Sequence, residues 1–71
     1  MIDRIIEEVN RQGMELNARG MKALKENEEA LARYAEDYKM SVHTDMGGRC
    51  SVRFSKDGSV VSTYTFYSSV R

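Results

Sequence analysis

His43 and Cys50 are the only histidine and the only cysteine in a chain of 71 residues. A thiol beside an imidazole gives a thiolate nucleophile, and each group alone is a metal ligand, so their relative placement decides whether either chemistry is open. As a lone pair seven positions apart they match no zinc spacing, and a single cysteine forms no disulfide within the chain. If the flanking segments pair as argued below, Thr44 faces Cys50 and Ser51 faces His43, which sets the two on opposite faces of a sheet. Cys50 then reads as a small core hydrophobe and His43 as a surface residue. Gly47-Gly48 falls between two extended segments and not ahead of a helix, so it lacks the setting of a phosphate-binding loop and reads as a turn. Glu28, Glu29, Glu36 and Asp37 project from a solvated helix surface, where no buried acid–base pair forms. The expectation is no enzyme, no cofactor and no metal.

A second group is more suggestive. Arg49, Arg53 and Arg71, with His43 and Tyr67, fall on one face of the expected sheet. A basic face with an aromatic is the minimum footprint for nucleic acid, and it equally suits an acidic protein surface. Asp45, opposite Arg49 in the expected register, would neutralise part of it as a cross-strand pair. Eleven basic and eleven acidic residues cancel over the whole chain, so no global field recruits nucleic acid or an anionic membrane. The halves differ: residues 1–38 hold 6 basic and 9 acidic side chains, residues 39–71 hold 5 and 2.

The elements that must position these residues divide near Lys39. Before it there is no Ser or Thr, and Ala, Leu, Glu, Arg and Lys are common; after Met40 there is no Ala, Leu, Ile or Glu, and seven Ser, three Thr and five Val appear. The first part reads as helix and the second as sheet, in one α+β domain over 1–71. On a helical projection Ile2, Ile6, Val9, Gly13, Leu16, Gly20, Leu24, Leu31 and Tyr34 share one arc, with charged residues opposite and Glu7–Arg11, Glu15–Arg19 and Glu29–Arg33 at i,i+4. The stripe passes both glycines without a phase shift. It therefore predicts one long amphipathic helix from about 2 to 38, with a helical hairpin broken near Gly20 as the alternative.

Met46-Gly47-Gly48 and Lys56-Asp57-Gly58 punctuate a three-stranded antiparallel meander over 40–71. Three-residue loops oppose Val42 to Val52, Cys50 to Tyr64 and Phe54 to Val60. That register buries the face of Met40, Val42, Cys50, Val52, Phe54, Val60, Tyr64, Phe66 and Val70. A 37-residue helix would run about 55 Å, roughly twice the length of such strands, which leaves the stripe from Ile2 to Gly20 without a cover. Ile2, Ile6, Val9, Gly13, Leu16 and Gly20 are accordingly expected to form a coiled-coil-like homo-oligomer interface, the glycines admitting close helix approach.

Leu, Ile, Val and Phe number only 14, few enough that a small domain with neither disulfide nor metal is expected to lean on a partner subunit. The charged opening Met1-Ile2-Asp3-Arg4-Ile5-Ile6-Glu7-Glu8 is unlike a secretory signal, and no apolar run is long enough to span a bilayer. A cytoplasmic, non-enzymatic binding protein follows as the expectation: a homodimer or higher oligomer acting as an adaptor or inhibitor of a protein partner. At the level of class alone, such proteins include phage or mobile-element inhibitors of bacterial defence systems. The alternative is a small nucleic-acid-binding protein using the basic sheet face.

Overall fold

The computed structural model describes all residues, 1–71, as three helices on one face of a four-stranded antiparallel sheet. The order along the chain is α1 (Ile2–Arg11), β1 (Met14–Leu16), α2 (Ala18–Glu26), α3 (Glu28–Asp37), β2 (Lys39–Thr44), β3 (Arg49–Lys56) and β4 (Ser59–Val70). The fold is α+β with helix preceding sheet, and the sheet has four strands in the order β1-β4-β3-β2 rather than three. No helix is long and apolar enough to cross a membrane.

The single long helix is replaced by a break at Gln12–Gly13. Gln12 caps α1 with N–H bonds to Glu8 and Val9, and Gly13 follows at φ +82°, its N–H donating to Asn10 C=O at 3.0 Å. A left-handed residue after the last turn is the usual way a helix stops, and glycine takes it without a Cβ penalty. Met14–Leu16 then runs extended against the end of β4, with Met14 opposite Val70 and Leu16 opposite Ser68. Asn17 restarts the helix: its backbone is extended (φ −78°, ψ 178°) and its Oδ1 accepts from Gly20 N–H at 2.9 Å. Neither the continuous helix nor the hairpin at Gly20 is formed, since Gly20 lies inside α2. The molecule's longest extent is 32 Å, which a 55 Å helix could not share.

From Ala18 onward the phase reading holds. α2 and α3 meet at Asn27, whose side chain donates to Ala23 C=O at 2.7 Å, while Leu31 N–H donates to Asn27 C=O at 3.0 Å. The helical path bends there without stopping, so Gly20, Leu24 and Leu31 stay on one buried line and Tyr34 stacks on Phe54 with ring centroids 5.2 Å apart.

The break at Gly13 also covers the stripe. α1 folds back across the sheet, burying Ile5 and Val9 completely in the core with Leu24, Leu31, Val52, Phe54 and Cys50. Ile2, Ile6 and Leu16 pack at the margin of that core, Gly20 is buried beneath Tyr67, and Gly13 stands exposed at the corner. The uncovered helical strip is therefore absent, and with it the coiled-coil geometry. Ile5, left out of the expected stripe, is one of its most deeply buried residues. Of the three helical ion pairs, Glu7–Arg11 and Glu29–Arg33 form, at 3.7 and 2.7 Å, whereas Glu15 lies on β1, apart from Arg19 on α2.

In the sheet, the β2–β3 register is as expected, with Val42 opposite Val52, His43 opposite Ser51 and Thr44 opposite Cys50. The β3–β4 register differs by two: Cys50 faces Phe66 and Phe54 faces Ser62. The cause is the turn, because Asp57 (φ 52°) and Gly58 (φ 82°) both lie in the left-handed region and close a two-residue connection. A bulge between Phe54 and Ser55 then restores the parity, which leaves Val61 as the extra residue of β4. Val60, assigned to the buried face, is turned to the other side by that offset and is 59 % exposed; Val70, also assigned there, lies at the end of β4 past its pairing with β3 and is 61 % exposed. The other members of that face are buried or half-buried under the helices.

Candidate binding face

All three helices pack on the even-numbered side of the sheet, so the odd-numbered side has no second layer. β3, a central strand, presents Arg49 and Arg53 there, both exposed. Ladder neighbours supply the rest: Tyr67 lies beside Arg49, Thr65 and His43 flank Ser51, and Thr63 and Ser41 flank Arg53. Lys39, opposite Ser55, extends the cationic row onto β2. His43 Nε2 lies 3.1 Å from Ser41 Oγ, holding the ring along the strand.

The expected neutralisation of Arg49 by Asp45 does not occur. Asp45 Oδ1 instead accepts from Gly47 N–H at 2.8 Å and Arg49 N–H at 3.2 Å, while Asp45 N–H donates to Arg49 C=O at 3.1 Å. An Asx turn consumes the carboxylate in shaping the β2–β3 loop. The ion pairs of the molecule all lie on α1 and α3, and none includes Arg19, Arg49 or Arg53. Guanidinium groups left without carboxylates are free to bind an external anion bidentately.

Arg19 is the residue that periodicity missed. On a continuous helix it points to water opposite the stripe; with α2 started at Asn17 its guanidinium carbon sits 4.3 Å from the Tyr67 ring centre. That cation–π contact fixes the ring between Arg19 and Arg49, giving a preorganised anchor. Asn17 three residues ahead of Gly20 was the available signal, a cap residue following a glycine that ends a helix. Arg71 does not join the cluster: its N–H donates to Gly13 C=O at 3.1 Å and its guanidinium turns toward Asn10 C=O at 3.5 Å, at the far end of β4. Of the five candidates, His43, Arg49, Arg53 and Tyr67 share one surface.

Cys50 and His43 sit on opposite faces, one fully buried and one exposed. Burial pushes the Cys50 thiol up to about 11, so it is protonated at neutral pH and serves as core packing between Thr44 and Phe66.

No known protein family, curated protein or solved structure matches this chain.

Proposed function

We propose that the protein is a non-enzymatic binding module that engages an acidic protein surface through the open face of its sheet, as an adaptor or inhibitor. The observation that carries the reading is the row Lys39, Arg53, Arg49 and Arg19, unpaired by carboxylates and centred on a Tyr67 ring held by Arg19. Arginine and tyrosine are the residues that most often dominate the energy of protein contacts, and here Arg49, Arg53 and Tyr67 stand on strands and Arg19 on a helix rather than on loops. Ser41, Ser51, Thr63 and Thr65 around them supply short hydroxyl donors on a flat surface.

Reversing both central charges tests this. Arg49→Glu with Arg53→Glu should leave far-UV circular dichroism unchanged, since solvent-facing substitutions cost within about 0.5 kcal/mol each. Affinity purification from the native host should recover a partner with the wild type and lose it with the double variant. Equal recovery with both baits would refute the proposal. The same cations and the Tyr67 ring suit a phosphate backbone, and that second reading requires binding to a generic duplex that weakens steeply with added salt.

A further inference from the structure

β2 is an edge strand, and part of its outer edge is closed by a side chain that imitates a further strand. Gln12 Nε2 donates to Val42 C=O at 2.8 Å, and Gln12 Oε1 accepts from Thr44 N–H at 2.9 Å and from Thr44 Oγ at 2.8 Å. A residue of a parallel strand placed opposite His43 would make the same backbone bonds: its N–H to the carbonyl before His43, and its C=O from the amide after it.

The equivalent position opposite Ser41 follows from alternation. Asp45 N–H donates to Arg49 C=O at 3.1 Å, so the odd-numbered residues of β2 bond inward to β3, while the bonds of Gln12 show the even-numbered ones turned outward. Met40 C=O and Val42 N–H therefore point away from the sheet, spaced as Val42 C=O and Thr44 N–H are. They border a cleft of about 280 Å³ between α1 and β2, lined by Arg4, Glu8, Met40, Ser41 and Val42. Glu8 is engaged by Arg11 on the following turn, whereas Arg4 makes no ion pair. Arg4 is thus the one uncompensated charge of the lining.

We infer that this cleft binds the C-terminal residue of an extended peptide, laid parallel to β2 opposite Ser41. The N–H of that residue donates to Met40 C=O, its carboxylate accepts from Val42 N–H, and Arg4 reaches from α1 to neutralise the carboxylate. Two residues upstream, a peptide carbonyl accepts from Met40 N–H. A chain end fits better than a passing strand for two reasons. Arg4 supplies a full charge where an internal carbonyl would bring none, and Gln12 stands on the place that the second residue further along would need. The same block sets the direction: with the Thr44 end of the edge filled, the peptide enters from the Lys39 end, and a chain whose carboxylate lies innermost runs parallel to β2. The site lies at the rim of the sheet and does not depend on what the open face binds.

The probe is N-acetyl-trialanine with a free carboxylate, titrated at millimolar concentrations into the full chain and followed in amide proton–nitrogen NMR spectra. The Met40 and Val42 amide signals should shift and saturate while that of Val52 in the sheet centre stays in place. The C-terminal carboxamide of the same peptide should bind about tenfold more weakly or worse, because a neutral hydrogen bond replaces a charge-assisted one. Arg4→Gln, at an exposed helix position, should leave far-UV circular dichroism unchanged and abolish the preference for the free acid. Acetate carries the anion without the N–H that Met40 C=O requires, and should not saturate Val42 over the same range. A wild type whose Val42 signal does not move, equal affinity for acid and carboxamide, a preference that survives Arg4→Gln, or an equal response to acetate overturns the inference. Arg49→Glu with Arg53→Glu should bind the probe as the wild type does, so a failed partner assay and a failed peptide titration are distinguishable.

Discussion

At Gly13 the backbone takes φ +82° and an added Cβ would meet nothing within 4 Å, whereas at Gly20 the backbone is helical and a Cβ would stand 3.1 Å from the Tyr67 carbonyl carbon and 3.3 Å from Leu16 Cδ2, overlapping the carbonyl oxygen between them. Both residues sit seven apart on one helical phase, and composition treats them alike. One is there for its dihedral angles and the other for its missing side chain. The first lets the chain leave α1 and enter the sheet as β1; the second lets α2 settle onto β4 closely enough to bring Arg19 over Tyr67. The two roles make different demands on a substituent, and that difference can be measured.

The largest effect is expected at the contact. Gly20→Ala gains up to about 1 kcal/mol of helix propensity but must push α2 away from β4. The obstacle is backbone rather than a flexible side-chain tip, so the net loss should reach about 3 kcal/mol, the upper end of overpacking costs. In a domain this small that approaches the whole stability, and the denaturant midpoint should collapse. A neutral or stabilised Gly20→Ala would show that α2 stands off the sheet and that Arg19 does not stack on Tyr67. A destabilised variant alone does not identify a corner, because a helical glycine in close contact behaves the same way.

That ambiguity explains how much of the molecule could be read in advance. In the β half, a one-residue slip exchanges the faces, so the pattern of Val42, Cys50, Val52 and Phe54 sets the β2–β3 register unaided. The open face follows from the same parity, which is why His43, Arg49, Arg53 and Tyr67 were placed together. The β3–β4 register escaped because Asp57-Gly58 supports a two-residue turn whose offset is absorbed by a bulge at a Ser/Val stretch with little pattern of its own. In the helical half, phase continuity was a weak witness. Residues 2–9 and 20–38 both face the same sheet, so each must carry an apolar stripe, and the ten residues between them returned them to the same angle by coincidence. The local signals at Gly13 and Asn17, a C-terminal glycine and a capping asparagine four apart, outweigh that continuity because each satisfies backbone groups that a helix end leaves unpaired. Arg19 was lost with them.

The corner is sharpened next through its neighbour. Gln12 reaches the β2 edge only because the chain turns at Gly13, so the hydrogen bonds that its amide donates to Val42 C=O and accepts from Thr44 N–H report on the corner directly. Gln12→Ala should cost about 1–3 kcal/mol, two neutral hydrogen bonds at roughly 0.5–1.5 kcal/mol each, with both backbone groups regaining water. Amide exchange at Thr44 should accelerate, and that at Val52 in the sheet centre should hold once corrected for global stability. Unchanged Thr44 exchange would mean that Gln12 does not close this edge.

The smallest effect belongs to Gly13 itself. With open space around its Cα, only the dihedral penalty acts, and a left-handed residue costs an ordinary L-amino acid roughly 1 kcal/mol more than glycine. Gly13→Ala should therefore lower stability by about 1 kcal/mol, a third of the loss at Gly20, even though alanine is the better helix former. Gly13→Asn should recover most of that, because asparagine tolerates the left-handed region. The order Gly, Asn, Ala at position 13 is the signature of a turn, since inside a helix alanine would rank first. Chemical denaturation of the three proteins is enough to read it. If Gly13→Ala is the most stable of them, α1 runs on past Gln12, β1 does not form, and the contrast between the two glycines disappears together with the surface that places Arg19 against Tyr67.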